Sequence, residues 1–234
     1  MKKYLVILLL LITHVCSGQI GIVTHTITTG SANTVTSAAI NTTGAGLIVV
    51  QIAAPNVAVG TLSDSKGNTW TILRNDAILG LIANLTFYCV SPVVGSSHTF
   101  TYAATGAYPV ITVVALSNVA SSPIDQQNGA HPISTTISVQ PGSITPSVNN
   151  EIILASICVG ASGTIPTINS GFTILNSMAF ASGVNQGSVM AYITQTSASA
   201  VNPTFSWTAT AYAATSIVSI KPSLTNSSFF ILAQ

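Results

Sequence analysis

The chain has 234 residues, 48% of them apolar and only 4% charged, with five Lys and Arg against four Asp and Glu. Binding nucleic acid through its phosphates needs clustered Lys and Arg, and none occurs, so nucleic acid is set aside as a partner. A surface this poor in charge must be wetted by Thr, Ser, Asn, Gln and Gly.

Residues 1–18, "MKKYLVILLLLITHVCSG", carry Lys2 and Lys3, an apolar run from Tyr4 to Ile12 and small residues at Ser17 and Gly18. This is the pattern of a secretory signal peptide, too short to span a bilayer as a helix. Cys16 raises a lipid anchor, but Val15 and His14 are poor residues before a lipidated cysteine, so simple cleavage is preferred. The expected mature chain starts about Gln19, is secreted or displayed at the cell surface, and has no transmembrane span. Its charges are Lys66, Arg74 and Lys221 against Asp64, Asp76, Asp125 and Glu151.

After the leader, short runs rich in Val, Ile, Thr and aromatics alternate with Gly, Pro, Asn and Ser, which predicts strands and no helix. Five runs return in order, offset by 102 to 105 residues. "LIVVQIA" (47–53) matches "IILASIC" (152–158), "TWTIL" (69–73) matches "GFTIL" (171–175), and "LTFYCV" (85–90) matches "VMAYIT" (189–194). "HTFTY" (98–102) matches "PTFSW" (203–207), and "YPVITVVAL" (108–116) matches "YAATSIVSI" (212–220). The expected fold is all-β, an antiparallel jelly-roll-like β-sandwich built from two sequence-related halves. Half one covers about 20–120 and half two about 133–222, within one domain at 19–222. The join lies near "SSPIDQQNGAHPIS", and a tail follows at 223–234. Two tandem immunoglobulin-like domains are the main alternative. An outer-membrane barrel fits less well, because the strands are short and aromatic girdles are missing.

Alternation assigns the faces. Phe100 and Tyr102 match Phe205 and Trp207 and point inward. Ile48, Val50 and Ile52 lie opposite a face that carries Gln51, so the strands read as half buried. Val114 and Leu116 are better core candidates than Val113 and Ala115. Cys89 shares a face with Phe87, whereas Cys158 shares one with Ser156, so the two thiols are expected to stay unbridged.

The densest charge lies in "LSDSKGNTWTIL" (62–73), and the matching "IPTINSGF" has none of it. Gly67 and Asn68 suit a hairpin tip, so the segment reads as a solvated turn. A calcium loop using Asp64, Asn68 and Asp76 is the weaker reading, since the dense acidic spacing is missing. No metal site or cofactor is expected. His25, His98 and His131 read as exposed loop or strand-edge residues. Nothing in the sequence pairs the four carboxylates as a glycosidase requires, and no nucleophile motif is present, so no catalytic residue is assigned. Tyr88 and Tyr192, which correspond and point away from their strands' core face, are the candidate glycan-binding residues.

The series "DSKGNTWT", "FYCVSPVVGSSHTFTY", "VVALSN…SPIDQ", "GSITPSVNNEIILA" and "SGFTIL" resembles an uncharacterised β-sandwich unit of secreted bacterial surface proteins and phage virion proteins. The resemblance covers nearly the whole mature chain and implies that the two halves travel together; it brings no catalytic residues. The expected function is a non-enzymatic surface or structural protein, adhesive or part of an extracellular or virion-like assembly that self-associates. Glycan binding is the runner-up, and a polysaccharide hydrolase is less favoured.

Overall fold

The computed structural model describes residues 11–30, 32–55, 58–104, 106, 108–160 and 163–230, the side chains of 11–17 and 225–230 excepted. Among these residues every regular element is a strand and every pairing is antiparallel. Strand β1 (Leu11–Ser17) lies in the segment expected to be a leader. There follow β2 (Gly21–Thr29), β3 (Thr34–Thr36), β4 (Leu47–Ala54), β5 (Thr61–Asp64), β6 (Thr71–Ile78), β7 (Ile82–Val90), β8 (Phe100–Ala103) and β9 (Val110–Ser117). They form a five-stranded sheet in the order β2-β9-β4-β7-β6 and a three-stranded sheet β3-β8-β5.

The next set is β10 (Val119–Ala130), β11 (Thr136–Val139), β12 (Glu151–Gly160), β13 (Thr167–Ile168), β14 (Thr173–Met178), β15 (Gly187–Gln195) and β16 (Phe205–Pro222). Its large sheet runs β10-β16-β12-β15-β14, and β11 and β13 flank the start of β16. Each set crosses repeatedly between a large and a small sheet along a jelly-roll-like path, with β6–β7 and β14–β15 as hairpins within the large sheets. One difference is written in the chain. Between β8 and β9 stand Gly106 and Pro109, which interrupt the ladder, whereas nothing from Phe205 to Lys221 is Gly or Pro, so β16 runs unbroken for 18 residues. The segment read from sequence as a join is largely strand β10. Its polar composition hid it, because an edge strand with one exposed face needs little apolar alternation.

Inside the first set Ile48, Val50, Ile52, Phe87, Phe100, Tyr102, Ile111 and Val113 pack between the large and small sheets. In the second set Ile153, Ile157, Val189, Phe205, Trp207 and Ile217 do the same. Phe100, Tyr102, Phe205 and Trp207 therefore point inward, as alternation predicts. The half-buried reading of β4, β9 and β12 fails, however. The outer faces of the two large sheets pack on each other through Leu47, Val49, Val114 and Leu116 against Ile152, Leu154, Met190, Val218 and Ile220. All eight residues of β4 are buried as a result, and Val113 and Ala115 are core residues equally with Val114 and Leu116.

A belt of polar side chains crosses this junction. Gln51 donates to Asn84 Oδ1 (2.8 Å) and to the carbonyl of Ile157 in the facing sheet (3.0 Å). Asn84 donates to Ser156 Oγ (3.1 Å) and Ser216 Oγ (3.0 Å), and Ser188 donates to Gln51 Oε1. Buried amides and hydroxyls are tolerated here because they satisfy one another.

Strand β17 (Leu224–Phe230) pairs antiparallel with β1, from Leu11 opposite Phe230 to Ser17 opposite Leu224. Residues 1–10, the basic start of the expected leader, and residues 231–234 of the tail lie outside the described residues. No helix among those described is long and apolar enough to cross a membrane.

Candidate functional site

Asp64, the last residue of β5, is the hub of a buried polar cluster, not a water-facing turn residue. Its side chain and that of His98 are both 0% exposed. Oδ1 accepts the Lys66 amide (2.7 Å), Asn68 Nδ2 (3.2 Å) and His98 Nε2 (3.0 Å), and Oδ2 accepts Trp70 Nε1 (2.8 Å). The sequence builds this locally. Gly67 takes a φ of 76°, which turns the chain so that the Lys66 amide and the Asn68 side chain point back at the carboxylate. Burial by itself would raise the Asp64 pKa. The donors from Lys66, His98, Trp70 and Asn68 outweigh it and hold the carboxyl below its ordinary value.

His98, expected at an exposed edge, is buried. Its ring stacks on Phe100 at 4.2 Å, and Nδ1 meets Thr42 Oγ1 at 2.9 Å. Thr42, His98 and Asp64 thus form a hydroxyl–imidazole–carboxylate chain, but Thr42 and His98 are both fully buried, so no substrate reaches the hydroxyl. The chain ties three loops together. The calcium-loop reading fails for a related reason. Asn68 presents its amide nitrogen to Asp64, and its oxygen accepts the Val93 amide at 2.7 Å. Asp76 is elsewhere, buried in an ion pair with Arg74 (Nε–Oδ2 3.1 Å), and packs against Gly129 of β10 so closely that a Cβ there would clash.

The fold does pair two carboxylates, which sequence reasoning had left apart. Asp125 (β10) and Glu151 (β12) meet beside Lys221 (β16). Asp125 accepts the Ser147 amide (2.7 Å), and Lys221 Nζ lies 3.4 Å from its Oδ1. Glu151 is fully buried and accepts the Val148 amide at Oε1 (3.1 Å). Its Oε2 has no hydrogen-bond partner among the described residues, although the Ser219 hydroxyl and the Asp125 carboxyl both act on this side chain. Burial, reinforced by the charge of Asp125, raises the Glu151 pKa. At Asp125 burial is outweighed by Ser147, Glu151 and Lys221, and the carboxyl stays below its ordinary value.

No family model, curated protein or solved structure matches the chain. Its own geometry therefore carries the functional argument.

Tyr88 and Tyr192 point away from their own sandwich cores, as alternation predicts, but that side is the junction between the large sheets. Both are partly buried against it. Tyr192 also walls a cleft of about 350 Å³ with Gln19, Ile20, Ile22, Ile152 and Thr194, within the size class of small-ligand sites. His25 hydrogen-bonds Asn176 at 2.9 Å, from β2 to β14, and His131 is exposed. Cys89 and Cys158 are both buried and free.

Proposed function

We propose that the protein is a secreted, non-enzymatic surface or structural β-sandwich that assembles through its strand edges. The observation that carries this reading is the pair β2 and β14. Each ends its large sheet, they lie one over the other at one side of the molecule, and neither contains a Lys, Arg, Asp or Glu. Soluble sandwiches usually guard such edges with charge or proline, because open N–H and C=O groups recruit another chain. The engagement of Asp64, Asp76, Asp125 and Glu151 in internal bonding supports a structural use of the acids. Sedimentation velocity of residues 19–234 should show concentration-dependent association, weakened by Thr26→Lys and Ile174→Lys. A protein that stays monomeric at high concentration, with or without these changes, refutes the reading.

The cleft beside Tyr192 favours a second reading, a glycan-binding module in which the tyrosine ring and the Gln19 and Thr194 side chains contact a sugar. Screening the mature protein on a glycan array, with Tyr192→Ala as control, tests it. No binding, or binding indifferent to the substitution, removes it.

A further inference from the structure

We propose that Lys221 and Asp125 are joined by an amide bond between Nζ and Cγ, formed within the folded chain with Glu151 as the proton-transfer group. The three residues sit on adjacent strands with β16 in the middle. Ile124, Ile220 and Ile152 form a row across β10, β16 and β12. That row faces the junction between the large sheets, so the neighbouring Asp125, Lys221 and Glu151 turn to the other face, at the end of the second core. The turn before β12 completes the site. Asn150 takes a φ of 63°, and the amides of Ser147 and Val148 hold one carboxyl each.

The arrangement meets the demands of a condensation. The amine lies 3.4 Å from an oxygen of the Asp125 carboxyl, which holds it against the group it would attack and replaces a bimolecular encounter with an intramolecular one. Glu151 is fully buried, and the Asp125 side chain is 7% exposed. The Lys221 side chain is 32% exposed, leaving a way out for the released water. Glu151, whose neutral form is favoured by burial and by its neighbour's charge, is placed to lend a proton to an Asp125 oxygen and so convert a poor electrophile into a neutral carboxyl. It regains a proton from the attacking nitrogen. The C–N bond forms and one Cγ–O bond breaks. Of the three ammonium protons, one stays on the amide nitrogen and two leave with the oxygen as water, so no oxidant or co-reactant is needed.

The test is mass spectrometry of the full-length exported protein. Trypsin leaves residues 75–234 as one peptide, because no Lys or Arg stands between Arg74 and Lys221 and Pro222 follows Lys221. That peptide should be one water lighter than its sequence. A second protease should release a branched peptide linking the two residues, and Lys221 should resist amine labelling after unfolding. Lys221→Arg, which keeps the ion pair, and Glu151→Gln should each abolish the branched peptide; if Glu151→Gln fails to fold, Lys221→Arg still decides. Wild-type peptide of full mass with Lys221 labelled would reduce the cluster to an ion pair and overturn the proposal. So would a water loss that survives Lys221→Arg, which would mark dehydration elsewhere. Either result leaves the edge-assembly reading untouched.

Discussion

Replacing Asp64 with alanine separates a solvated turn from a structural hub. A charged turn residue facing water changes stability by at most about 0.5 kcal/mol when truncated. Here truncation removes the acceptor of Trp70 Nε1, His98 Nε2, Asn68 Nδ2 and the Lys66 amide. The Lys66 amide and the Asn68 side chain lie in the turn, where water can replace the carboxylate. The indole N–H is half-buried, and the imidazole has no water to turn to. At about 1–3 kcal/mol for each buried group left unsatisfied, the loss should be about 2–5 kcal/mol. That is a large share of the roughly 5–15 kcal/mol that holds a typical domain folded. Urea unfolding of the mature protein, followed by tryptophan fluorescence, measures it directly, since Trp70 reports on the cluster. A change below about 1 kcal/mol would refute the hub and restore the solvated turn. Asp64→Asn, which keeps one acceptor oxygen, should fall between the two.

The lowered Asp64 pKa predicts a pH signature. The contribution of this carboxylate is present above the ordinary value of 3.8 and is lost as pH falls through the lower folded value, so Asp64→Asn should flatten acid unfolding in that window. In the belt between the large sheets, Asn84→Ala removes three buried hydrogen bonds, one each to Gln51, Ser156 and Ser216, and opens a gap among groups that keep their other partners, so it should cost about 2–4 kcal/mol in the same urea assay; a loss under about 1 kcal/mol would mean that water fills the gap. Cys89 and Cys158 should ignore a thiol reagent in the native protein and take up two labels on unfolding, since burial pushes both thiols up; labelling of the native state would contradict their placement. Gly129→Ala should destabilise by displacing Asp76 from its seat beside Arg74, and a stability equal to wild type would show that β10 can move aside.

Strand identity and facing were legible because a pleated strand writes its two sides alternately, and Phe100, Tyr102, Phe205 and Trp207 fell where that rule puts them. The second buried face was not legible. Thr86, Ser156, Ser188 and Ser216 have the composition of a wet surface, yet they lie in the junction, because a hydrogen-bonded belt and a solvated face draw on the same residues. The outward faces of Tyr88 and Tyr192 were legible, but not that this side is the junction between the large sheets. His98 left one usable trace: the sequence stretch matched to it has proline, Pro203, in place of the histidine, and the stretch matched to the turn lacks the aspartate. The meeting of Asp125 and Glu151 left none, since it depends on β10 pairing with β16, and a polar edge strand leaves no periodic mark.

The belt between the large sheets also bears on how the chain can be cut. Apolar surfaces tolerate sliding, whereas Gln51 reaching the Ile157 carbonyl and Asn84 reaching Ser156 and Ser216 fix one angle and one offset between the sheets. A fragment ending at Ser117 would carry a complete jelly-roll path and its own inner core, yet its outer sheet would meet water with Leu47, Val49, Val114 and Leu116 around an amide stripe shaped for a single counterpart. Such a fragment should fold only to stick, to itself or to the next surface that offers the missing hydroxyls. Each half acts for the other as a chaperone that never leaves, so a fusion or display partner attached between residues 117 and 119 would separate two surfaces that neither half can expose alone.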